Sequence, residues 1–395
     1  MTRNRLFEPF AVRGLTLKNR VVISPMCQYS AADGMLNHWH MVHLSQFALG
    51  GAGLVFVEAT AVEKRGRITW GDSGLWSDAH MAPMRAVVES VKAQGSGIGI
   101  QLAHAGRKAS ISRPWEGDCP LSPREIAKGE VPWDIVGPSP VAFDEGWIVP
   151  HELSVSEIAD VVDAWARAAR RAVKVGFDCV EIHSAHGYLS HSFLSPMSNR
   201  RTDRYGGSRD NRMRFTLELV EAVRGAIPED MPLFLRLSCI DGKKDGWDID
   251  DSIETAKRAK AQGVDVIDCS SGGIAGYGDN LLSPATPGYQ VEHAAAIRRA
   301  AEIATQAVGL IVDPAQAETI LQAGAADLVA LAREVLNDPY WARHAAIALN
   351  EPDPFVDWPI QYGHWLRLRA QGMFGGRAGD SDTESLKTQA AAEDR

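Results

Sequence analysis

The feature that most constrains the fold is a succession of short apolar runs separated by longer amphipathic segments. A short apolar run between turn residues is typical of a buried strand, and apolar residues spaced by three and four are typical of a helix. Eight strands alternating with helices predict an α/β protein of the (β/α)8 TIM-barrel type. The strands are predicted at residues 21–24, 54–58, 98–102, 179–183, 233–238, 264–269, 308–312 and 327–331. The helical patterns include residues 155–175, 212–226, 253–262, 291–304 and 315–323.

An open, doubly wound sheet would show a similar alternation of strands and helices. Such a sheet normally has a glycine-rich turn after its first strand, where it binds a nucleotide. Here the first strand runs into Ser24-Pro25-Met26-Cys27, and the sequence contains neither GxGxxG nor GxxxxGK[ST]. The barrel is therefore the preferred prediction.

Two segments do not follow the repeat. The connection at about residues 105–150 is rich in Pro, Gly and Trp and is too long for a simple loop. We expect it to form a lid or subdomain over the mouth of a barrel that occupies residues 1–366. The tail at residues 372–395 is small, polar and charged, and we expect it to be disordered.

Charge and cysteine usage exclude several function classes. The net charge is -9, and no long basic run is present, which argues against nucleic-acid binding. Glu8 and Pro9 interrupt the start of the chain before an apolar signal region develops, and no 18-residue apolar stretch could span a membrane. Five scattered cysteines without CxxC spacing favour free thiols in a reducing compartment over a zinc or iron–sulfur framework. We therefore expect a cytoplasmic protein.

The hexapeptide His183-Ser184-Ala185-His186-Gly187-Tyr188 follows the fourth predicted strand. In a continued strand His183 and His186 would point to opposite faces, so the strand must end near His183. If the chain turns there, with Gly187 in an unusual backbone conformation, the two imidazoles and the Tyr188 phenol converge. Such a cluster could bind a substrate oxygen and donate a proton, or its histidines could hold a metal. Histidines satisfied within the core or at the surface are the third possibility.

Other polar residues lie near the ends of predicted strands. Gln101 shares its strand face with two glycines, which leaves room for a flat ligand but also fits close strand packing. Arg236, within an apolar strand, needs an anionic partner, either a structural carboxylate or an anionic cofactor. Gly309, Ala332 and Arg333 precede helical segments and are suited to binding a phosphate.

Cys27 lies just beyond the first strand. It could be a nucleophile, a small buried apolar residue or a contact that tunes a redox group. Tyr29, two residues after Cys27, could line the same side of the site.

Together these motifs resemble the old yellow enzyme family of FMN-dependent ene-reductases, and in particular its bacterial branch with a cysteine near the flavin. The resemblance extends over roughly residues 5–366. It rests on Leu6-Phe7-Glu8-Pro9, Leu17-Lys18-Asn19-Arg20, Ser24-Pro25-Met26-Cys27-Gln28-Tyr29, Val57-Glu58-Ala59-Thr60-Ala61, Gln101-Leu102-Ala103-His104-Ala105-Gly106-Arg107-Lys108, the hexapeptide from His183 to Tyr188, and Arg201-Thr202-Asp203-Arg204-Tyr205-Gly206-Gly207-Ser208.

The resemblance implies tightly but non-covalently bound FMN, with NADPH or NADH as the reductant. Arg236 near the pyrimidine end of the flavin would favour its anionic reduced form. The residues implied to line the isoalloxazine are Ser24, Pro25, Met26, Cys27, Ala59, Gln101 and Arg236, and those implied to hold the phosphate are Gly309, Ala332 and Arg333.

The resemblance also implies small activated alkenes as substrates and no metal. His183 and His186 would bind the carbonyl or nitro oxygen, Tyr188 would protonate the α-carbon, and Tyr29 would contact the substrate. Two donors on that oxygen would stabilise the charge that develops during hydride transfer. Because the nicotinamide would use the same face of the flavin and leave first, the kinetics would be ping-pong.

The sequence departs from the family pattern at Ala332, where many members have glycine, so its backbone angles must tolerate a Cβ. In this branch a C-terminal aromatic residue or arginine can enter a neighbouring subunit's site. Trp365 is the matching candidate for substrate binding, which implies a homodimer or homotetramer.

Two other functions remain open at this point. One is a metal-dependent barrel hydrolase that uses His183 and His186, with His104 as a possible further ligand. The other is a non-catalytic protein that binds flavin or another ligand on a barrel scaffold.

Overall fold

The computed structural model describes residues 4–276 and 286–372 of the chain. Its strands are β1 (Phe10–Val12), β2 (Leu15–Leu17), β3 (Val21–Ile23), β4 (Leu54–Ala61), β5 (Gly97–Ala103), β6 (Val136–Gly137), β7 (His151–Glu152), β8 (Cys179–Ser184), β9 (Leu233–Ser238), β10 (Val266–Ser270), β11 (Ala304–Val308) and β12 (Leu328–Leu331). Its α-helices are α1 (His38–Leu49), α2 (Met81–Ala93), α3 (Pro123–Ala127), α4 (Val155–Val175), α5 (Leu189–Leu194), α6 (Arg209–Arg224), α7 (Ile249–Ala261), α8 (Val291–Ala301), α9 (Pro314–Gln322), α10 (Arg333–Asn337), α11 (Trp341–Ala348) and α12 (Ile360–Ala370).

Strands β3, β4, β5, β8, β9, β10, β11 and β12 form a closed barrel in this order around the axis. Each neighbouring pair is parallel, including β12 with β3, which closes the ring. In such a barrel the helices cover the outer face of the sheet and side chains fill its interior, so the strands are buried on both faces. The predicted TIM barrel is confirmed.

The barrel interior is apolar at the amino ends of the strands. Leu54, Phe56, Cys179 and Phe234 pack there with Leu17 of the antiparallel β1–β2 hairpin. Because inward-facing residues alternate along each strand, the next inward positions form a separate layer nearer the carboxyl ends. That layer is polar, and the candidate site lies above it.

The helix boundaries follow from local capping. Helix α4 begins after Ser154, whose hydroxyl accepts from the Glu157 amide in a capping box, and it ends at Gly176 in the left-handed conformation. Its bounds are those predicted from the sequence. Helix α7 begins four residues before its predicted start, because Asp248 and Asp251 form a capping box.

The seventh strand was predicted wrongly. It occupies Ala304–Val308 rather than residues 308–312, and the preceding helix α8 ends at Ala301 rather than at residue 304. Thr305 and Gln306 interrupt the apolar pattern although both are completely buried, so periodicity alone misses the strand. Gly309, with φ +127°, follows the last residue of the strand.

The long connection between β5 and α4 contains α3 and the small parallel pair β6–β7. Its side chains Ile111 and Ile135 belong to a separate apolar cluster, against which Cys27, Tyr29 and Tyr188 pack. Arg113 also donates to the Tyr29 carbonyl at 3.2 Å. The predicted insertion after the third barrel strand is therefore present, and it contacts the residues of the candidate site.

Within residues 4–276 and 286–372, none of the helices combines the length and apolar character that crossing a membrane requires. The predicted tail at residues 372–395 lies, apart from Gly372, outside the described residues.

Candidate active site

Strand β8 ends at Ser184, and the chain then makes a tight turn. His186 and Gly187 both have left-handed backbones, with φ +60° and +77°, and α5 begins directly after Tyr188. The turn brings the His183 ring within 5.1 Å of the His186 ring and 5.0 Å of the Tyr188 ring, measured between centroids. The predicted turn is present, and the three polar rings converge at the carboxyl end of the barrel.

The hydrogen bonds orient both imidazoles. The Ala185 amide donates to His183 Nδ1 at 3.3 Å, so the proton of a neutral His183 ring is on Nε2. His186 Nε2 lies 2.7 Å from the Ser270 hydroxyl. This contact leaves Nδ1 of His186 for a ligand.

Burial sets the protonation states of the three rings. Burial, followed by the Arg236 cation, lowers the pKa of His183 and of His186 well below the usual value. Burial likewise raises the pKa of the Tyr188 phenol well above its usual value. The site therefore contains two neutral imidazoles and a protonated phenol, all of which can donate hydrogen bonds.

Gly187→Ala is expected to destabilise the fold strongly. A Cβ at Gly187 would lie 2.1 Å from the Gly273 carbonyl oxygen, and Gly187 also has a left-handed φ. Gly207 is a matched control, because its φ is +78° but a Cβ there would contact nothing within 4 Å. We expect urea unfolding to show a loss of about 2–5 kcal/mol for Gly187→Ala and about 1–2 kcal/mol for Gly207→Ala. Equal losses would contradict this close packing of the turn.

Cys27 lies close to Tyr29 and to the backbone of Ala59 on β4. Burial and the nearby Glu58 charge raise the pKa of the Cys27 thiol well above its usual value. A neutral thiol is a poor nucleophile, so the structure favours a packing or redox-tuning contact over nucleophilic catalysis. Of the other residues in this segment, Met26 packs against the core and Pro25 is half-buried.

Arg236 contacts both the barrel interior and a cavity. Its Nε lies 3.1 Å from Asp268 Oδ2, so the structural ion pair weighed in the sequence analysis is present. Gln101, the other polar residue predicted at this level, donates from Nε2 to Glu181 at 2.8 Å. Arg236 also lines a cavity of about 350 Å³, within the range of ligand sites, so it remains available to an anion.

The cavity beside Arg236 contains the predicted phosphate-binding residues. Gly309, Ala332 and Arg333 line it together with Ser270. A Cβ at Gly309 would lie 2.9 Å from the end of the Gln290 side chain, and the φ of +127° also favours glycine at this position. Ala332 has φ -128°, outside the left-handed region that favours glycine, and ψ -93°.

Lys108 is a site residue to which the sequence analysis assigned no role. Its Nζ donates to the His186 carbonyl at 3.0 Å and lies 5.1 Å from the centre of the Tyr188 ring. Burial lowers the pKa of Lys108 to about 8. Lys108 is the last residue of the motif that begins at Gln101, and its place in that motif could have marked it as a site residue.

The structure does not bring every predicted site residue into this cluster. Trp365 lies on α12 with 60% of its surface exposed, near Tyr340 and Trp358 rather than at the barrel mouth. His104 pairs with Glu63 at 2.8 Å, so it is engaged away from the two site histidines. Across the described parts of the chain, no three His, Cys, Asp or Glu side chains come together as a metal-binding group.

A sequence model of the NADH:flavin oxidoreductase / NADH oxidase family matches residues 5–351. The NADPH dehydrogenase of Bacillus subtilis (strain 168) is 48% identical over 360 residues, which is 91% of this chain and 98% of the relative. The chain belongs to this family. The resemblance to the old yellow enzymes is thus confirmed, and the chain is an NAD(P)H-dependent oxidoreductase with FMN as its cofactor. Membership excludes the hydrolase and the non-catalytic binding protein.

Solved structures agree with this assignment. Morphinone reductase in complex with tetrahydroNAD superimposes with a TM-score of 0.71 at 27% identity, over 90% of this chain and 94% of that chain. A 2-naphthoyl-CoA reductase complex gives a TM-score of 0.76 at 24% identity, over 88% of this chain. The chain spans only 53% of that reductase, so this second likeness shows the fold alone.

The residues present fit FMN. Among the described residues, the buried Ser24 hydroxyl and Arg236 Nε have no hydrogen-bond partner, although Arg236 is ion-paired. Buried polar groups of this kind normally have partners, and a polar cofactor would supply them. Gly309, Arg333 and Ser270 line the adjoining cavity.

Proposed function

We propose that this enzyme is an ene-reductase, which reduces the carbon–carbon double bond of small α,β-unsaturated carbonyl or nitro compounds. The observation that carries the proposal is the convergence of His183, His186 and Tyr188 at the barrel mouth. Donors of this kind suit an oxygen that becomes negatively charged and a carbon that must be protonated.

The cofactor would be held by two groups of residues. When bound there, FMN would supply the hydride chemistry that links NAD(P)H to the substrate. The NADPH dehydrogenase relative and the neighbour that binds tetrahydroNAD support a nicotinamide reductant. The proposed ring-binding residues are Ser24, Pro25, Met26, Cys27, Ala59, Gln101 and Arg236, and the proposed phosphate-binding residues are Gly309, Ala332 and Arg333.

His183 and His186 would bind the carbonyl or nitro oxygen of the substrate. His183 Nε2–H and His186 Nδ1 are the nitrogens left available by the bonds to Ala185 and Ser270. As a hydride reaches the β-carbon, negative charge moves to this oxygen, and both donors stabilise it. Tyr29, packed beside Tyr188, would contact the substrate from the insertion side.

Tyr188 would complete the reduction by transferring its phenolic proton to the α-carbon. The phenol is protonated because burial raises its pKa, so the proton is in place before the substrate arrives. Tyr188 then recovers a proton from solvent. One hydride and one proton are thus added across the double bond, and one NAD(P)H is oxidised per alkene.

The pH dependence tests the neutral state of the histidines. Imidazoles with a lowered pKa stay neutral as pH falls through the ordinary histidine value of about 6.5. The rate at which an uncharged enone reoxidises the reduced enzyme should therefore be flat from about pH 5.5 to pH 7, below the pKa of about 8 to which burial lowers the nearby Lys108. Stopped-flow absorbance measures this step apart from reduction by NADPH. A rate that falls as pH rises through about 6.5 would instead indicate that an imidazolium is the donor.

The activity itself has a direct test. The purified protein should contain FMN and should oxidise NADPH or NADH at a rate that depends on an added enone, maleimide or nitroalkene. Mass spectrometry of the product should show two added hydrogens. Oxidation of NAD(P)H that none of these alkenes accelerates would overturn the ene-reductase proposal while leaving the family assignment intact.

Trp365 and the oligomeric state remain predictions. We propose a homodimer or homotetramer of a cytoplasmic enzyme, in which Trp365 of one subunit reaches the neighbouring site. The exposure of its indole on α12 is compatible with this role. Light scattering should give at least twice the 42.9 kDa mass of one chain. Trp365→Ala should raise the KM for the enone more than it lowers the kcat.

A further inference from the structure

Two carboxyl groups lie in the polar layer beneath the candidate site. Glu181 on β8 and Asp268 on β10 are both completely buried inside the barrel. Their strands are separated by one strand, β9, and alternate strands of a barrel contribute side chains to the same layer. The two carboxyl groups therefore lie in one buried layer, where the charge of Asp268 acts on Glu181.

Too few donors reach this pair for both groups to be ionised. Gln101 donates to Glu181 Oε1 at 2.8 Å, and Arg236 Nε approaches Asp268 Oδ2 at 3.1 Å. Apart from that ion pair, Glu181 Oε2 and both Asp268 oxygens lack a hydrogen-bond partner among the described residues. Gln306, opposite Asp268 in the β10–β11 register, can offer the Asp268 carboxylate one neutral donor. Two buried carboxylates in contact repel each other, whereas one proton between them forms a hydrogen bond.

The surroundings decide which group is protonated. Arg236 on β9 is ion-paired with Asp268 and favours its ionised form, while Gln101 and Gln306 on the other neighbouring strands are neutral. Burial raises the pKa of both carboxyl groups, and the Asp268 charge raises that of Glu181 further, to well above its usual value. The proton therefore lies on Glu181, and Asp268 is the anion.

We propose that Glu181 and Asp268 share a single proton, and that Asp268 thereby balances the charge of Arg236 beneath the flavin. The layer formed by Glu181, Asp268 and Arg236 is then neutral. Because reduction of the flavin adds negative charge, a balanced Arg236 favours the reduced cofactor less than a free cation would. Glu181 and Asp268 are thus positioning residues that tune the flavin potential through Arg236. This inference rests on the proposed placement of the flavin at Arg236.

The flavin reduction potential of the holoenzyme tests the charge balance. Glu181→Gln replaces a neutral acid with a neutral amide of the same shape, so it should leave the potential unchanged. The double variant Glu181→Gln/Asp268→Asn removes the anion and prevents Glu181 from ionising in its place. It should shift the oxidised–reduced equilibrium at least tenfold toward the reduced flavin, about 30 mV for a two-electron couple.

Each other outcome contradicts a definite part of the proposal. An equal positive shift in Glu181→Gln would show that Glu181 is ionised and that no proton is shared. No shift in the double variant would show that Arg236 does not act on the flavin. Urea unfolding of both variants confirms that the fold is intact.

Infrared spectroscopy tests the shared proton without substrate or turnover. The wild-type minus Glu181→Gln difference spectrum of the holoenzyme at pH 7 should contain a protonated carboxyl band that shifts in deuterated water. Taking the difference removes contributions from other buried acids such as Asp72, whose pKa burial raises to about 7. Absence of the band would overturn the shared proton even if the enzyme reduces alkenes. Presence of the band in an enzyme inactive toward alkenes would overturn only the proposed function.

Discussion

Tyr188→Phe is expected to slow reoxidation of the reduced enzyme by an enone by about 10²–10⁴-fold, the range for loss of a general acid. The substitution removes the phenolic proton and keeps the ring, which packs against His183. It leaves no unpaired buried donor behind, so the fold should be unaffected. Stopped-flow absorbance of the flavin measures the rate directly.

The internal control for Tyr188→Phe is reduction of the enzyme by NADPH, which needs no proton from Tyr188. That rate should change less than about threefold, well under the range expected for loss of a general acid. If reoxidation is equally fast in the variant, the α-carbon receives its proton from another group or from solvent. Equal slowing of both half-reactions would indicate a misplaced flavin rather than a missing acid.

His183→Leu is expected to lower the rate of hydride transfer to an enone by about 10²–10³-fold, the usual cost of one oxyanion donor. Leucine fills a similar volume but cannot donate to the substrate oxygen. His183→Asn keeps an N–H donor and should recover part of the loss. His151→Ala is the surface control, because the side chain of His151 is 59% exposed and pairs only with Glu157 among the described residues.

Two measurements separate this effect from damage to the cofactor site. The FMN content and the rate of reduction by NADPH should be nearly unchanged in His183→Leu. A loss of rate confined to reoxidation supports a donor to the substrate oxygen. Full activity in His183→Leu would show that His186 alone, or another group, binds the oxygen.

Most of the barrel could be predicted because strand and helix periods are local properties. The capped helix α4 has its predicted bounds, and seven of the eight predicted strands overlap the observed ones closely. The exception is β11, where Thr305 and Gln306 are buried without an apolar pattern. Inside a barrel a polar residue is tolerated where other polar side chains lie beside it. Those side chains come from strands distant in the sequence, so the local sequence pattern cannot predict them.

For the hexapeptide from His183 to Tyr188, the sequence predicted that the three rings converge but not how their backbone and hydrogen bonds arrange them. The turn at Gly187 was expected, but the left-handed conformation of His186 was not. Arg236 was expected to need an anion, and the structure identifies Asp268 as its partner. Asp268 is likewise a charged residue within an apolar strand, two residues before Ser270. The same reasoning that singled out Arg236 could have singled out Asp268, but the sequence analysis did not consider it.

The sequence by itself determined the fold class, the family and the set of strand ends at which polar residues gather. These follow from periodicity and from motifs of adjacent residues, which the chain carries whatever its final packing. Only the tertiary structure decided that Glu181 and Asp268 share one buried layer, that Lys108 reaches the Tyr188 ring and that the pKa values of both site histidines are lowered. Protonation depends on burial and on charges that closure of the barrel brings together from distant parts of the chain.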